Sequence, residues 1–265
     1  MDTPLISVIL ATYNGARYLR EAIDSVLAQD FIDLELIIID DASTDSTPEI
    51  LLQYRIQDSR IKVVRNKQNL KLVSSLNKGI ELAQWEYIAR IDDDDIWSDV
   101  TKLSQQLKKF EENASLAIIG TFGSIIDESG VKTGKYITHK SGTQSVREGF
   151  WLRNQLIHTS ILAKKSVLQA AWLYREEWLY IEDFDLWLRV LELGYDIDNL
   201  SEYCVDYRVR IGNTTSKKYH RMQWLLFRRL LEETEIYPHF FRKIYCLLIR
   251  WILTLLPIQM ARYLK

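Results

Sequence analysis

With 265 residues, 47% of them hydrophobic and 26% charged, the chain can bury one substantial core with at most a small appendage, which excludes a disordered or fibrous protein. A formal net charge of −2 gives no global attraction to nucleic acid or anionic lipid, so no nucleic-acid partner is expected and any lipid contact must come from a local cluster. Cys204 and Cys246 fit no metal-ligand spacing and read as buried thiols, the acidic start Met1-Asp2-Thr3-Pro4 is unlike a secretory signal, and no stretch reaches the roughly 20 apolar residues of a transmembrane helix, so an intracellular chain is expected.

Residues 5–11 (LISVILA) form a β-branched apolar run suited to a strand buried on both faces of a parallel sheet, and Asn14-Gly15 ends it with turn chemistry. Leu19, Ile23, Val26 and Leu27 then recur at helical spacing, and residues 34–39 (LELIII) give a second buried strand ending on Asp40-Asp41. Ser46, Thr47 and Pro48 open the next helix. A strand over 61–64, a helix over 74–83 and a strand over 87–91 follow, the last running into Asp92-Asp93-Asp94-Asp95. This alternation predicts an α/β fold with an open, mostly parallel sheet, whose ligands bind beyond the carboxyl ends of the strands, where both acidic clusters fall. Farther on come a helix over 102–112, an apolar strand over 116–120, and a Gly/Ser/Thr/Lys-rich stretch over 128–143 that reads as hairpin or loop. From Lys217 the chain turns basic, aromatic and aliphatic, with helical patterns through Leu231 and over 240–256.

Four consecutive aspartates repel one another unless a cation or a partner offsets them, and Mg2+ or Mn2+ bridging carboxylates to a diphosphate does so. The same run also reads as a solvated loop capping the next helix, and Asp40-Asp41 as turn formers before Ser43 and Thr44. Asp183 stands at the start of an amphipathic helix, where its plain reading is a helix cap. His158 is flanked by apolar residues, as core histidines often are.

The order of these segments resembles the family 2 glycosyltransferases of GT-A fold (Rossmann-like, open, with flanking helices). The resemblance runs over residues 5–216. It is carried by Ser7-Val8-Ile9-Leu10-Ala11-Thr12-Tyr13-Asn14, by Ile38-Ile39-Asp40-Asp41-Ala42-Ser43, by Leu76-Asn77-Lys78-Gly79 and by Tyr87-Ile88-Ala89-Arg90-Ile91-Asp92-Asp93-Asp94-Asp95, where the family has its DxD metal motif. Farther on it is carried by Tyr180-Ile181-Glu182-Asp183-Phe184-Asp185-Leu186-Trp187 and by Tyr207-Arg208 with Gly212-Asn213-Thr214-Thr215-Ser216. It implies that Ala11, Thr12, Tyr13 and Asp41 hold the nucleobase of a nucleoside diphosphate sugar, UDP-sugar or dTDP-sugar, since a carboxylate accepts the imide N–H of uracil or thymine. Lys71 departs from the glycine usual there; its cation meets base or phosphate, or is simply solvated. Asp92 faces ribose or metal and Asp94 ligates Mn2+ or Mg2+, with Asp93 the alternative if the register shifts by one. Asp183 is implied as the base of an inverting transfer, with Glu182 in support and Asp185 as the weaker alternative base. His158 is implied to face acceptor or phosphates, and Arg208 and Arg210 form a phosphate clamp in place of the family's histidine. Trp151, Trp172 and Trp178 receive no role.

The resemblance therefore implies a catalytic domain over 1–216 and a basic amphipathic helical tail over 217–265. The expected activity is inverting transfer to an acceptor hydroxyl of a surface glycan or lipid-linked sugar, at the cytoplasmic, inner face of the cell membrane, with the tail lying on the membrane surface or packing on the catalytic domain or a second subunit. Two other classes compete. One is a binding module for nucleotide-sugars or glycans without catalysis. The other is nucleotidyl transfer, which calls for a richer glycine-lysine loop than Thr12-Tyr13-Asn14-Gly15-Ala16-Arg17.

Overall fold

The computed structural model describes residues 6–150, 152–210 and 218–232, with the single positions 248 and 252. Trp151, the Gly212–Ser216 part of the closing loop, Cys246 and nearly all of the expected membrane-facing helix over 240–256 lie outside the described residues. Nine strands form one sheet in the order β3-β2-β1-β4-β8-β6-β9-β5, with β7 on β6. β1 (Ile6–Thr12), β2 (Leu34–Asp40), β3 (Ile61–Arg65) and β4 (Tyr87–Asp92) are mutually parallel, alternating with α1 (Leu19–Leu27), α2 (Thr47–Gln57) and α3 (Lys71–Leu82). The continuous apolar runs arise because both faces of these strands are covered. Ile9, Ile37 and Ile39 feed one core with α3, while Val8, Leu10, Leu36 and Ile38 feed the opposite core with α1 and α2.

The second half is a mixed sheet. After β5 (Ile96–Trp97) and α4 (Lys102–Glu112) come β6 (Leu116–Ile126), β7 (Lys132–Ile137), α5 (Thr143–Gly149), β8 (Leu162–Lys164), α6 (Lys165–Ala170), α7 (Glu182–Glu192) and β9 (Asp196–Arg208). β8 joins the halves, antiparallel to both β4 and β6. α4 begins and ends at the expected residues, and the glycine-rich stretch contains one arm of the expected hairpin, β7. β6 runs six residues past the predicted end because its small residues mark close packing rather than a turn: a Cβ on Gly123 would stand 2.9 Å from both Val205 and Ile157 side chains.

The first part of the tail, α8 (Tyr219–Glu232), sends Leu225, Leu226 and Leu230 into the same core as α3 and α7. This stretch thus packs on the body that the sequence assigned to the catalytic domain. No helix among the described residues is long and apolar enough to cross a membrane.

Candidate active site

The sheet register sets the first pole of the site. Thr12 lies beside Asp40 and Ala11 beside Asp92, so three strand ends deliver polar groups to one edge. Asp41 follows β2 and is nearly enclosed. Its Oδ1 accepts from Asn66 Nδ2 and the Leu70 N–H, each at 2.8 Å, and its Oδ2 accepts from the Lys71 N–H at 2.8 Å. It thereby pins the start of α3. A carboxylate has about four acceptor positions, so one remains for a ligand. Lys71 has φ 73°, the left-handed region that costs an L-residue roughly 1 kcal/mol and glycine nothing, which gives a backbone reason for the glycine that the resemblance places there.

At the end of β4 the four aspartates separate into different roles. Asp92 lines the site and pairs with the buried Arg90 guanidinium. Asp93 turns inward, accepting from the Thr12 hydroxyl at 2.5 Å, and burial pushes its carboxyl up to about 7. A Cβ on Gly15 would collide with both Asp93 Oδ2 and Thr12 Oγ1, so a larger residue in the turn would push that pair apart. Asp94 pairs with Arg210 at 2.5 Å, and burial together with the charge of Asp92 raises its carboxyl above the ordinary range. Asp95 is fully buried, its Oδ1 accepting from the Arg208 N–H at 2.8 Å; burial and the charges of Asp92 and Asp94 hold it well above the usual carboxylate range. Arg208 is also buried. It donates from Nε to the Asp94 carbonyl (2.7 Å), pairs with Glu21 (2.7 Å) and stacks 4.4 Å from the Tyr18 ring centroid. As placed, Arg208 braces the acidic turn rather than reaching a phosphate.

No three His, Cys, Asp or Glu side chains gather as a metal cage among the described residues. Asp92 and Asp94 nonetheless fit a hard divalent ion that takes its other ligands from water and phosphate oxygens. Both are oxygen donors, and the charge of Asp92, which together with burial raises Asp94, is what a cation offsets.

The second pole is the start of α7. The residue preceding the helix is Ile181, whose apolar side chain makes no capping hydrogen bond, and Asp183 lies within the first turn. Asp183 Oδ1 accepts from the Phe184 N–H (2.7 Å) and Oδ2 from Asn154 Nδ2 (2.6 Å), leaving each oxygen a lone pair. The Tyr180 N–H donates to Glu182 Oε2 at 2.7 Å. Burial and the neighbouring Asp183 push Glu182 up to about 7, and burial raises Asp183 as well. His158 bonds through Nε2 to the Tyr174 hydroxyl (2.7 Å) and meets the Trp187 ring edge-on; burial and the Arg90 charge hold its pKa well below the usual value, so the ring is neutral. Asp185, the alternative base, is fully buried with Oδ2 paired to Arg189 (2.7 Å) and Oδ1 to Arg229 (2.6 Å), so neither oxygen faces the cavity.

A single cavity of about 1230 Å³ joins the poles. Its wall includes the expected Ala11, Thr12, Tyr13, Asp41, Lys71, Asp92, His158, Glu182 and Asp183, whereas Asp93, Asp94, Arg208 and Arg210 lie outside that wall. Several wall residues were not read from sequence. Arg90 was legible in principle as a lone cation inside an apolar strand; Tyr180 opens the acidic motif but was given no role of its own, and Asn154 carried no pattern. α8 contributes Tyr219, Met222, Gln223 and Leu226, spaced i, i+3, i+4 and i+7 on one helix face.

A family model described as Glycosyl transferase family 2 matches residues 7–172. The UDP-Glc:alpha-D-GlcNAc-diphosphoundecaprenol beta-1,3-glucosyltransferase WfaP of Escherichia coli is 30% identical over 220 residues, covering 82% of this chain and 82% of WfaP. The crystal structure of S. aureus TarS 1–349 in complex with UDP-GlcNAc matches with TM-score 0.68 at 21% identity, over 92% of this chain and 70% of that one. The mannosyltransferase PcManGT from Pyrobaculum calidifontis, solved with GDP-Man and Mn2+, matches with TM-score 0.65 at 14% identity, over 96% and 74%. At these identities the two structures speak for the shared GT-A fold, a parallel-rich sheet with flanking helices. The matched stretch runs from β1 through both acidic strand ends to the hydrogen-bonded histidine and beyond, and with it the chain belongs to glycosyl transferase family 2 and is a glycosyltransferase.

Proposed function

We propose that the chain transfers a glycosyl group, with inversion, from UDP-sugar or dTDP-sugar to the hydroxyl of a glycan or lipid-linked acceptor. The observation that carries this reading is the single cavity holding Asp41 and Asp92 at one pole and the Glu182–Asp183 pair at the other. Asp41 offers its remaining acceptor position to the imide of a pyrimidine, and the exposed Tyr13 ring edges the same end, where it suits stacking on the base. Asp92 and Asp94 would hold Mn2+ or Mg2+, which when bound neutralises the leaving diphosphate. Asp183, oriented by Asn154 and the Phe184 N–H, takes the proton of the attacking acceptor hydroxyl. Glu182 shares the local charge, so the pair loses its last proton near neutrality, and transfer rises with pH through about 7.

WfaP, by its name, takes UDP-Glc and a diphosphoundecaprenol-linked sugar. That favours a lipid-linked acceptor and work at the inner face of the cell membrane in surface polysaccharide synthesis. The test is release and transfer from UDP-, dTDP-, GDP- and CDP-sugars, with Mn2+, Mg2+ or EDTA, from pH 5.5 to 8.5. Turnover of a uridine or thymidine donor, abolished by EDTA and increasing through pH 7, supports the reading. Binding of these donors with no turnover under any condition contradicts it.

A further inference from the structure

We propose that α8 is a positioning clamp for the carboxylate pair, and that Arg221 holds the strained Tyr180 turn whose backbone N–H aims Glu182. This rests on the transfer reading above and assigns that site a further residue. Tyr180 stands two residues before Glu182 with φ 90°, a backbone region that a bulky L-residue adopts only when its surroundings impose it. Such strain accumulates at sites where geometry must be fixed, and here its product is visible: the Tyr180 N–H donates to Glu182 Oε2 at 2.7 Å, beside Asp183.

The turn is closed by the Ile181 N–H donating to the Trp178 carbonyl at 2.8 Å, and α8 braces it from outside. The Arg221 guanidinium lies 5.3 Å from the Tyr180 ring centroid, within the range of a cation–π contact. Farther along the same helix, Arg228 stacks 4.3 Å from the Trp178 centroid, and Arg229 pairs with Asp185 (2.6 Å) and Glu192 (2.8 Å). Three arginines of one helix thus grip residues 178–192 before, at and after the carboxylate pair. Tyr180 also lines the cavity. Arg229 is buried and carries the docking, whereas Arg221 is exposed and touches the turn itself. An exposed arginine contributes little to folding, which makes Arg221 the place where positioning and stability separate.

The groups that face Glu182 are Asp183 on α7, Arg90 on β4 and Tyr174. The Tyr180 N–H favours the ionised form of Glu182, so a loosened turn moves the rising limb of the pH–rate profile to higher pH. The experiment uses the full chain and compares wild type with Arg221→Met and Arg221→Lys. It records Tm, donor affinity by calorimetry, acceptor KM, kcat and the pH profile of kcat. Arg221→Met is expected to lower kcat about tenfold with Tm, donor affinity and acceptor KM little changed, and to move the limb to higher pH. Arg221→Lys, which keeps a cation over the ring, recovers most of both effects. A wild-type kcat and profile in Arg221→Met overturns the proposal. A loss confined to acceptor KM also overturns it and makes Arg221 an acceptor-binding residue. A loss that follows a fallen Tm reduces α8 to a structural support. Wild-type protein that binds donor but transfers nothing would instead refute the underlying activity.

Discussion

At the pole around Asp41 and Asp92 the polar side chains sit on strand ends whose alignment the parallel sheet imposes, residue against residue. At the pole around Asp183 they sit on a helix start gripped by arginines, one of which reaches Asp185 from 44 positions farther along the chain. The first arrangement is held by backbone ladders between strands buried on both faces. The second is held by a few charged and aromatic side-chain contacts between segments that meet only in the folded protein. Substitutions at the two poles should therefore fail differently: at the first, ligand affinity changes while the fold persists, and at the second, breaking the buried Arg229–Asp185 pair costs stability, whereas the exposed Arg221 contact acts on proton transfer alone.

Asp94→Asn replaces an anionic metal ligand by a neutral isostere, so turnover should fall by about a thousandfold and donor binding should lose its dependence on Mn2+ with little change in Tm. Calorimetry with and without EDTA checks this, and unchanged metal-linked affinity would remove Asp94 from the metal site.

At the second pole, Arg229→Met strips one of two arginines from a fully buried aspartate. Breaking such a pair costs about 3 kcal/mol, and denaturant unfolding should report that loss. Unaltered stability would mean that the docking of α8 does not depend on its buried ion pair.

The same contrast explains what was legible in the sequence. β1, β2 and β4 were readable because strands covered on both faces are uninterrupted apolar runs, and their acidic ends followed directly. β9, thirteen residues long, was not read. Asp196, Asp198, Glu202 and Asp206 break its apolar content, and register shifts against β6 at Thr121, Phe122 and Gly123 disrupt its alternation. The aspartate run was recognisable as a site, but only the folded structure shows that Asp93 turns toward Thr12 and that Asp95 and Arg208 brace the turn. The α8 wall escaped because its helical pattern announces an apolar face without saying which surface that face covers.

Within the donor pole, Lys71 offers a milder change. Lys71→Gly relieves the left-handed backbone and removes a cation from the start of α3, so Tm should hold or rise by about 2 °C. UDP affinity should weaken by about fivefold if the ammonium meets the nucleotide. A clear fall in Tm would show that the lysine stabilises the loop, and unchanged affinity would return it to the solvated reading.

If one cavity separates donor binding from proton removal, Asp183→Asn divides the two. Single-turnover transfer and donor titration on the same protein should show transfer reduced by about a hundredfold or more, with donor and metal affinity kept, because Asn retains the side-chain shape while losing basicity. Near-normal transfer, or a loss of donor affinity matching the loss of rate, would contradict that separation.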